Sequence, residues 1–147
     1  MNYYWTIIVI FLSSLTSFYF DKYKNCFNRT VDQDIFNSLS SLKSNSLLFL
    51  HHLLNIFANF GWITTSKPIL YLYIFAPIVT AFHWITNNGK CSLTEDYNRL
   101  CGLPTDLPFN DVFNLIGFKK YPLWNTVGHY LYLLISLIIC MFKIMHV

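Results

Sequence analysis

Four long apolar segments dominate the hydrophobic pattern of this chain. They cover residues 3–20, 46–63, 68–86 and 121–142, and none of them contains Lys, Arg, Asp or Glu. A helix needs about 20 mostly apolar residues to cross roughly 30 Å of hydrocarbon, so each segment is long enough to span a bilayer. The pattern therefore predicts an all-α fold, a polytopic transmembrane bundle of four helices that forms one domain over residues 1–147.

The first segment has an alternative interpretation as a cleaved signal peptide. No Lys or Arg precedes its apolar run, and no clear cleavage site of small residues follows it. Both features favour a retained membrane anchor.

The connections between the segments differ in length and charge. Residues 21–45 and 87–120 form long polar loops that four spans place on the same face, and eight of the ten basic residues lie in them. Because basic residues near span ends favour the cytoplasm, we predict that both long loops are cytoplasmic and both termini are outside. A glycosylation sequon at Asn28-Arg29-Thr30 favours the opposite orientation.

Short interfacial helices are predicted in the third loop, between the third and fourth segments. Ser92 and Glu95 have the spacing of a capping box, with Ser92 as the N-cap of the first helix. A second amphipathic helix is predicted near residues 110–118, along the membrane interface. The first helix would separate Cys91 and Cys101 by roughly 12–15 Å, which is too far for a disulfide between them.

The composition agrees with a membrane location and narrows the function classes. Hydrophobic residues make up 54% of the chain and charged residues 12%, which lies outside the usual globular range. The net charge of +3 is scattered between the spans, so we expect contact with the lipid bilayer and no nucleic-acid binding. Loops 21–45 and 87–120 are the candidate surfaces for protein partners. The chain has no HExxH, GxSxG, CxxC or phosphate-binding Gly-rich motif, and so gives no positive evidence for catalysis.

Polar side chains form stripes at helical spacing within the segments, near the face that carries the long loops. Such groups are costly in hydrocarbon, so we predict that the stripes face the bundle interior and each other. The members of this candidate polar or ligand cluster are His51, His52, Asn55, His83, Asn125 and His129, with Asn59 and Thr80 beside them.

Three hypotheses account for this cluster. The leading one is a non-enzymatic membrane protein with a structural, assembly or interaction role, in which the polar stripes fix helix packing. The alternative is a haem- or transition-metal-binding protein whose candidate ligands are His52, His83 and His129, with His51 able to replace His52. A small membrane enzyme or transporter ranks third, because no carboxylate lies within a segment to partner a histidine.

One arrangement of residues resembles a known family. Leu50-His51-His52 and Gly61 lie in the second segment and Trp84 in the third, and Cys91-Ser92-Leu93-Thr94-Glu95 and Arg99 follow. This arrangement, over residues 47–99, resembles small bacterial multi-pass membrane proteins of unknown function, in which a Leu-His span and a Trp span precede Cys-Pro-Leu-Thr, an acidic residue and an arginine. Ser92 stands where that family has proline. The resemblance implies a constellation at the membrane surface made of the second-span histidine, Cys91, Thr94, Glu95 and Arg99.

Overall fold

The computed structural model describes residues 3–27, 42–101, 103–107, 109, 113, 117, 121, 123 and 127–146, without the side chains of residues 23–27. This part of the chain is predominantly helical and contains no β-strand. Its main α-helices are α1 (Tyr3–Phe27), α2 (Leu42–Phe60), α3 (Lys67–Thr86), α4 (Ser92–Leu100) and α5 (His129–His146), and a short 3-10 helix, Gly61–Ile63, lies between α2 and α3.

Four of these helices are long and apolar enough to cross a membrane, over Tyr3–Lys22, Leu42–Ile63, Lys67–Thr86 and His129–His146. Their outer faces expose large apolar side chains, for example Phe82 at 67%. Apolar belts of this kind are stable when lipid covers them. The predicted all-α polytopic bundle is therefore confirmed, and the protein is an integral membrane protein.

The ends of the helices differ from the ends of the predicted segments. Helix α1 continues to Phe27, seven residues beyond the predicted end, because a helix does not have to stop where its apolar run stops. Helix α5 begins at His129, after a π-helical turn at Val127 and Gly128, whereas the predicted segment began at residue 121. The predicted helix at residues 110–118 lies outside the described residues, apart from positions 113 and 117.

The helices pack mainly in two pairs, α1 with α2 and α3 with α5, and α2 also contacts α3, α4 and α5. Each pair has its own apolar cluster. Leu70, Tyr73 and Cys140 join α3 to α5, while Phe18 and Leu48 join α1 to α2 and extend to α4. Helix α2 is therefore the element through which the two pairs are connected.

Helix α4 docks against the first turns of α2. Tyr97 and Cys101, near its end, join the cluster around Leu48, while Thr94, near its start, reaches His51 one turn further along α2. The two helices thus run antiparallel, which places the start of α4 beside the middle of α2. Burial raises the pKa of the Cys101 thiol, an effect that hydrogen bonds with Tyr97 and Ser44 partly offset.

The turn between α2 and α3 brings the two helices very close together. A Cβ atom on Gly61 would lie 2.6 Å from Cδ2 of Tyr73, so only glycine permits this approach. The Tyr73 hydroxyl is fully buried and lies 2.9 Å from the carbonyl oxygen of Ala58 and 2.8 Å from Oγ of Ser136. Tyr73 therefore connects α2, α3 and α5 at a single point.

Lys143 of α5 covers the carbonyl groups at the end of the short 3-10 helix, Gly61–Ile63, that follows α2. Its Nζ atom donates to the carbonyl oxygens of Trp62, Ile63 and Thr64 at 2.9, 3.2 and 3.3 Å. The last carbonyl groups of a helix have no partner within the helix, and cations there also interact favourably with its dipole. This lysine therefore anchors α5 at the end of the bundle opposite α4.

Candidate functional site

His52 of α2 is completely buried and contacts two polar side chains of α1. Its Nε2 atom lies 3.2 Å from Oδ2 of Asp21, and its Nδ1 atom lies 2.9 Å from Oγ of Ser17. A carboxylate oxygen can only accept, so the N–H group at Nε2 donates to Asp21, and in the neutral tautomer Nδ1 accepts from the Ser17 hydroxyl. Both ring nitrogens are therefore satisfied within the interface between α1 and α2.

Asp21 corrects the expectation that the intramembrane histidines have no acidic partner. It is the first residue after the predicted segment, but α1 continues through it. Ser14, Ser17 and Asp21 follow each other at intervals of three and four residues, which places them on one helical face, and all three are buried. The spacing of these three polar residues is the sequence signal for a buried polar face on α1. It can be recognised only when the helix is extended beyond the apolar segment to Asp21.

His51, the neighbour of His52, faces α4 instead. Its Nε2 atom lies 3.4 Å from Sγ of Cys91, and its Nδ1 atom lies 3.4 Å from Oγ1 of Thr94. The ring of Phe109 stacks on the imidazole with a centroid separation of 3.7 Å and an angle of 20° between the planes. The ring of His51 is thus held between a thiol, a hydroxyl and an aromatic face.

A tight turn after α3 places Cys91 at this position. Asn88 and Gly89 adopt left-handed backbone conformations with φ of 51° and 75°, which asparagine and glycine tolerate best. The chain then reverses, and Cys91 becomes the N-cap residue of α4. Its carbonyl oxygen accepts hydrogen bonds from the N–H groups of Thr94 and Glu95.

The predicted capping box at Ser92 and Glu95 does not form. Ser92 is the first residue of α4 rather than its N-cap, and its N–H group donates to Nε2 of His83 at 3.0 Å. The Glu95 carboxylate instead accepts from Nδ2 of Asn87 at 3.3 Å. A side chain from α3 and another from the turn therefore replace the local pairing that the sequence predicted.

His129 joins α5 to α2 through Asn59. Its Nε2 atom lies 3.2 Å from Oδ1 of Asn59, an oxygen that accepts the ring proton. The backbone carbonyl oxygen of Asn59 accepts from Nε1 of Trp62 and from the hydroxyl of Tyr132. Asn125, the other predicted member of this stripe, lies outside the described residues.

A cleft with a volume of about 790 Å³ opens between α2, α3, α4 and α5. We call it the leaflet cleft. It is lined by the polar residues His51, Asn55, Thr80, His83, Cys91 and His129 together with apolar residues such as Leu54, Val79 and Leu133. Within the described part of the chain, the buried Oδ1 atom of Asn55 has no hydrogen-bond partner.

The structure brings together part of the constellation that the family resemblance implies. His51, Cys91 and Thr94 are in contact, and Glu95 lines the leaflet cleft beside them. Arg99 does not line the cleft, because its side chain is 73% exposed and its Nη1 atom lies 3.6 Å from Oδ1 of Asp96.

No protein-family model, curated protein or solved structure matches this chain.

The three candidate metal ligands point to different partners. His52 contacts α1, His83 contacts the start of α4, and His129 contacts Asn59. Among the described residues, no three His, Cys, Asp or Glu side chains are grouped as a metal site would require. Each of these three histidines is within hydrogen-bond distance of a protein group in this arrangement.

Proposed function

We propose that this membrane protein binds a small amphiphilic molecule in the leaflet cleft, while its other buried polar contacts hold the helices together. The observation that carries the proposal is the Oδ1 atom of Asn55, which is buried without a partner among the described residues. A buried acceptor without a hydrogen bond costs about 1–3 kcal/mol. A ligand hydroxyl or N–H group that draws this oxygen to the cleft wall by a small rotation of the Asn55 side chain would recover that free energy.

The lining of the cleft supports an amphiphile in particular. Polar groups from Thr80 and His83 lie in the same cleft as the apolar side chains of Leu54, Val79 and Leu133. Small-molecule sites typically have volumes of about 300–1,000 Å³, mostly apolar walls and a few placed polar groups. A polar head near Asn55 and an apolar chain along the aliphatic side chains would satisfy both kinds of surface.

The remaining intramembrane histidines support the predicted packing role. His52 is fully engaged between Ser17 and Asp21, and His129 is engaged with Asn59. Although Ser17, His52 and Asp21 are the residue types of a hydrolase triad, Ser17 lies inside α1, where backbone N–H groups are used by the helix itself. Such a serine lacks the free backbone donors that stabilise an oxyanion, which favours packing over catalysis.

Haem ligation, orientation in the membrane and protein partners are predictions from the sequence. No specific observation favours haem or metal ligation by His52, His83 and His129. The charge bias supports cytoplasmic long loops, and attachment of a glycan to Asn28 during synthesis in microsomes would contradict that orientation. Protein partners on loops 21–45 and 87–120 stay a prediction.

Thermal unfolding of the purified protein with two related amphiphiles tests the binding proposal. 1-Monolauroylglycerol carries two hydroxyl donors, whereas methyl laurate has a matching acyl chain and no donor. Since a ligand that binds only the folded state raises the Tm, we expect a larger rise with the monoglyceride. The Asn55→Leu variant should respond equally to both compounds, because it lacks the acceptor.

Two results would contradict the proposal. Equal shifts with the two amphiphiles on the wild-type protein would show that no buried acceptor selects the ligand. A preference for the monoglyceride that persists in Asn55→Leu would place the selecting group somewhere other than Asn55.

A further inference from the structure

The side chains of Cys91 and His51 form a thiol–imidazole pair on the wall of the leaflet cleft. Their Sγ and Nε2 atoms are 3.4 Å apart, and Cys91 is only partly buried. A nucleophilic cysteine requires a base within hydrogen-bond reach, since the thiolate is the species that attacks. The pair meets this requirement and faces a space that a reactant can enter.

The surroundings of His51 orient its ring for this role. For Nε2 to take a proton from the thiol, Nδ1 must carry the ring proton, and it then donates to Oγ1 of Thr94 at 3.4 Å. The stacked ring of Phe109 fixes the plane of the imidazole. Nucleophile, base and orienting group thus follow one another in the order that covalent catalysis requires.

The start of α4 offers a backbone donor to a developing oxyanion. The N–H group of Leu93, two residues after Cys91, has no hydrogen-bond acceptor among the described residues, whereas the N–H group of Ser92 donates to His83. Leu93 lines the same cleft as Cys91. Free N–H groups in the first turn of a helix stabilise negative charge on an adjacent oxygen.

We propose that Cys91 accepts an acyl group from an amphiphilic acyl ester or thioester bound in the leaflet cleft, with His51 as its base. The inference rests on the proposed function, because the cleft must hold the acyl chain along its aliphatic walls. It deepens that proposal by naming the class of ligand. Thr94 is a positioning residue that acts through His51.

The transfer is a balanced exchange at the acyl carbon. As the Cys91 sulfur attacks, Nε2 of His51 takes the thiol proton, and a new carbon–sulfur bond forms. The bond from the acyl carbon to the oxygen or sulfur of the leaving group breaks, and His51 returns the proton to that atom. An alcohol or thiol leaves, and the acyl group stays on Cys91 as a thioester.

The other described cysteines provide internal controls. Cys101 and Cys140 are buried, and the pKa of Cys101 is raised by that burial, so neither is expected to react. The side chain of Cys26 is not among those described, so the test uses the chain of residues 1–147 with Cys26→Ser. In this background, Cys91 is the partly exposed thiol in the described part of the chain.

The experiment measures acylation of this protein in lipid nanodiscs by the thioester of lauric acid with N-acetylcysteamine. Intact-mass measurement follows the addition of one lauroyl group, peptide mapping locates it, and neutral hydroxylamine should remove it. We expect the adduct on Cys91 and a rate about 100-fold lower in His51→Gln, the low end of the usual contribution of a general base. Thr94→Val should slow the reaction, and Thr94→Ser should restore it, because serine keeps the hydroxyl.

Several outcomes would overturn the inference. They are equal rates in the parent and His51→Gln, an adduct only on Cys101 or Cys140, and equal rates in the two Thr94 variants. Thermal unfolding of each variant shows whether it is folded, and the two Thr94 variants keep the test decisive if His51→Gln does not fold.

The same protein separates this inference from the proposed function. A preference for monolauroylglycerol without acylation would overturn the acyl transfer and leave the binding proposal standing. Acylation of Cys91 without that preference would support the thiol site and overturn donor-selective binding at Asn55.

Discussion

Removal of the Asp21 carboxylate tests whether the buried contact with His52 holds α1 against α2. The two side chains are 2% and 0% exposed, and the contact between Nε2 and Oδ2 is 3.2 Å. Asp21→Ala leaves the Nε2–H group of His52 without its acceptor, at a cost of about 1–3 kcal/mol. Side-chain hydrogen bonds within membrane proteins average only about 0.6 kcal/mol and reach about 1.7. For this contact we expect a loss of unfolding free energy of about 2 kcal/mol, in the middle of the first range and above the membrane-protein average. The reason is that the contact involves a charged group and is completely buried.

The magnitude predicts an order among variants. Asp21→Asn keeps an acceptor oxygen and should cost about 1 kcal/mol or less. His52→Leu deprives a buried carboxylate of its imidazole and should cost more, about 3 kcal/mol. Asp96→Ala is the matched control, because that carboxylate is 57% exposed in a surface ion pair and should change stability by less than about 0.5 kcal/mol.

Equilibrium unfolding in mixed micelles, by titration with sodium dodecyl sulfate, gives these free energies from the helical circular dichroism signal. A loss of 2 kcal/mol corresponds to about a 30-fold change in the unfolding constant. The double variant of Asp21→Ala and His52→Leu should be less destabilised than the sum of the single variants, by about 1 kcal/mol or more. If Asp21→Ala unfolded like Asp96→Ala, or if the two losses were additive, the contact would not hold the helices together.

Three further substitutions test the opposite end of the bundle by the same unfolding measurement. Tyr73→Phe should cost about 1–2 kcal/mol of unfolding free energy, since it removes the hydroxyl that connects three helices. Tyr71→Phe on the lipid-facing side should be neutral, and equal effects of the two substitutions would contradict this role of Tyr73. Lys143→Met should cost about 1–2 kcal/mol because three carbonyl groups lose their donor, and a loss no larger than that of Lys67→Met, at an exposed position, would refute it. Gly61→Ala should cost about 1–3 kcal/mol through the clash with Tyr73, and an unchanged stability would show that the two helices can separate at no cost.

The membrane spans could be predicted from the sequence because they depend on one strong property. A run of about 20 apolar residues without charge has few stable alternatives to a transmembrane helix. The exact ends depend on weaker local terms, so α1 extended beyond its apolar run and brought Asp21 into the bundle. The apolar count alone could not have found this carboxylate, but the spacing of Ser14, Ser17 and Asp21 on one face could.

The candidate site was only partly predictable, because its geometry depends on contacts between distant parts of the chain. The capping box at Ser92 was a sound local expectation, yet His83 from α3 supplies the acceptor for the Ser92 N–H group. The sequence also could not decide which of His51 and His52 faces which neighbour. The contact of His51 with Cys91 and Thr94 agrees with what the family resemblance implied, while the outward direction of Arg99 does not follow from it.

The adjacent positions of His51 and His52 have a mechanical consequence for α2. Consecutive residues of a helix project about 100° apart, so one ring faces the leaflet cleft while the next is held by α1. Both rings also touch Phe109, with centroid separations of 3.7 and 4.6 Å. Rotation of α2 about its axis cannot move one imidazole without moving the other. Contacts on two sides therefore fix the rotation of α2 about its axis. The hydrogen bonds of His52 with α1 thereby also determine that His51 points toward the cleft.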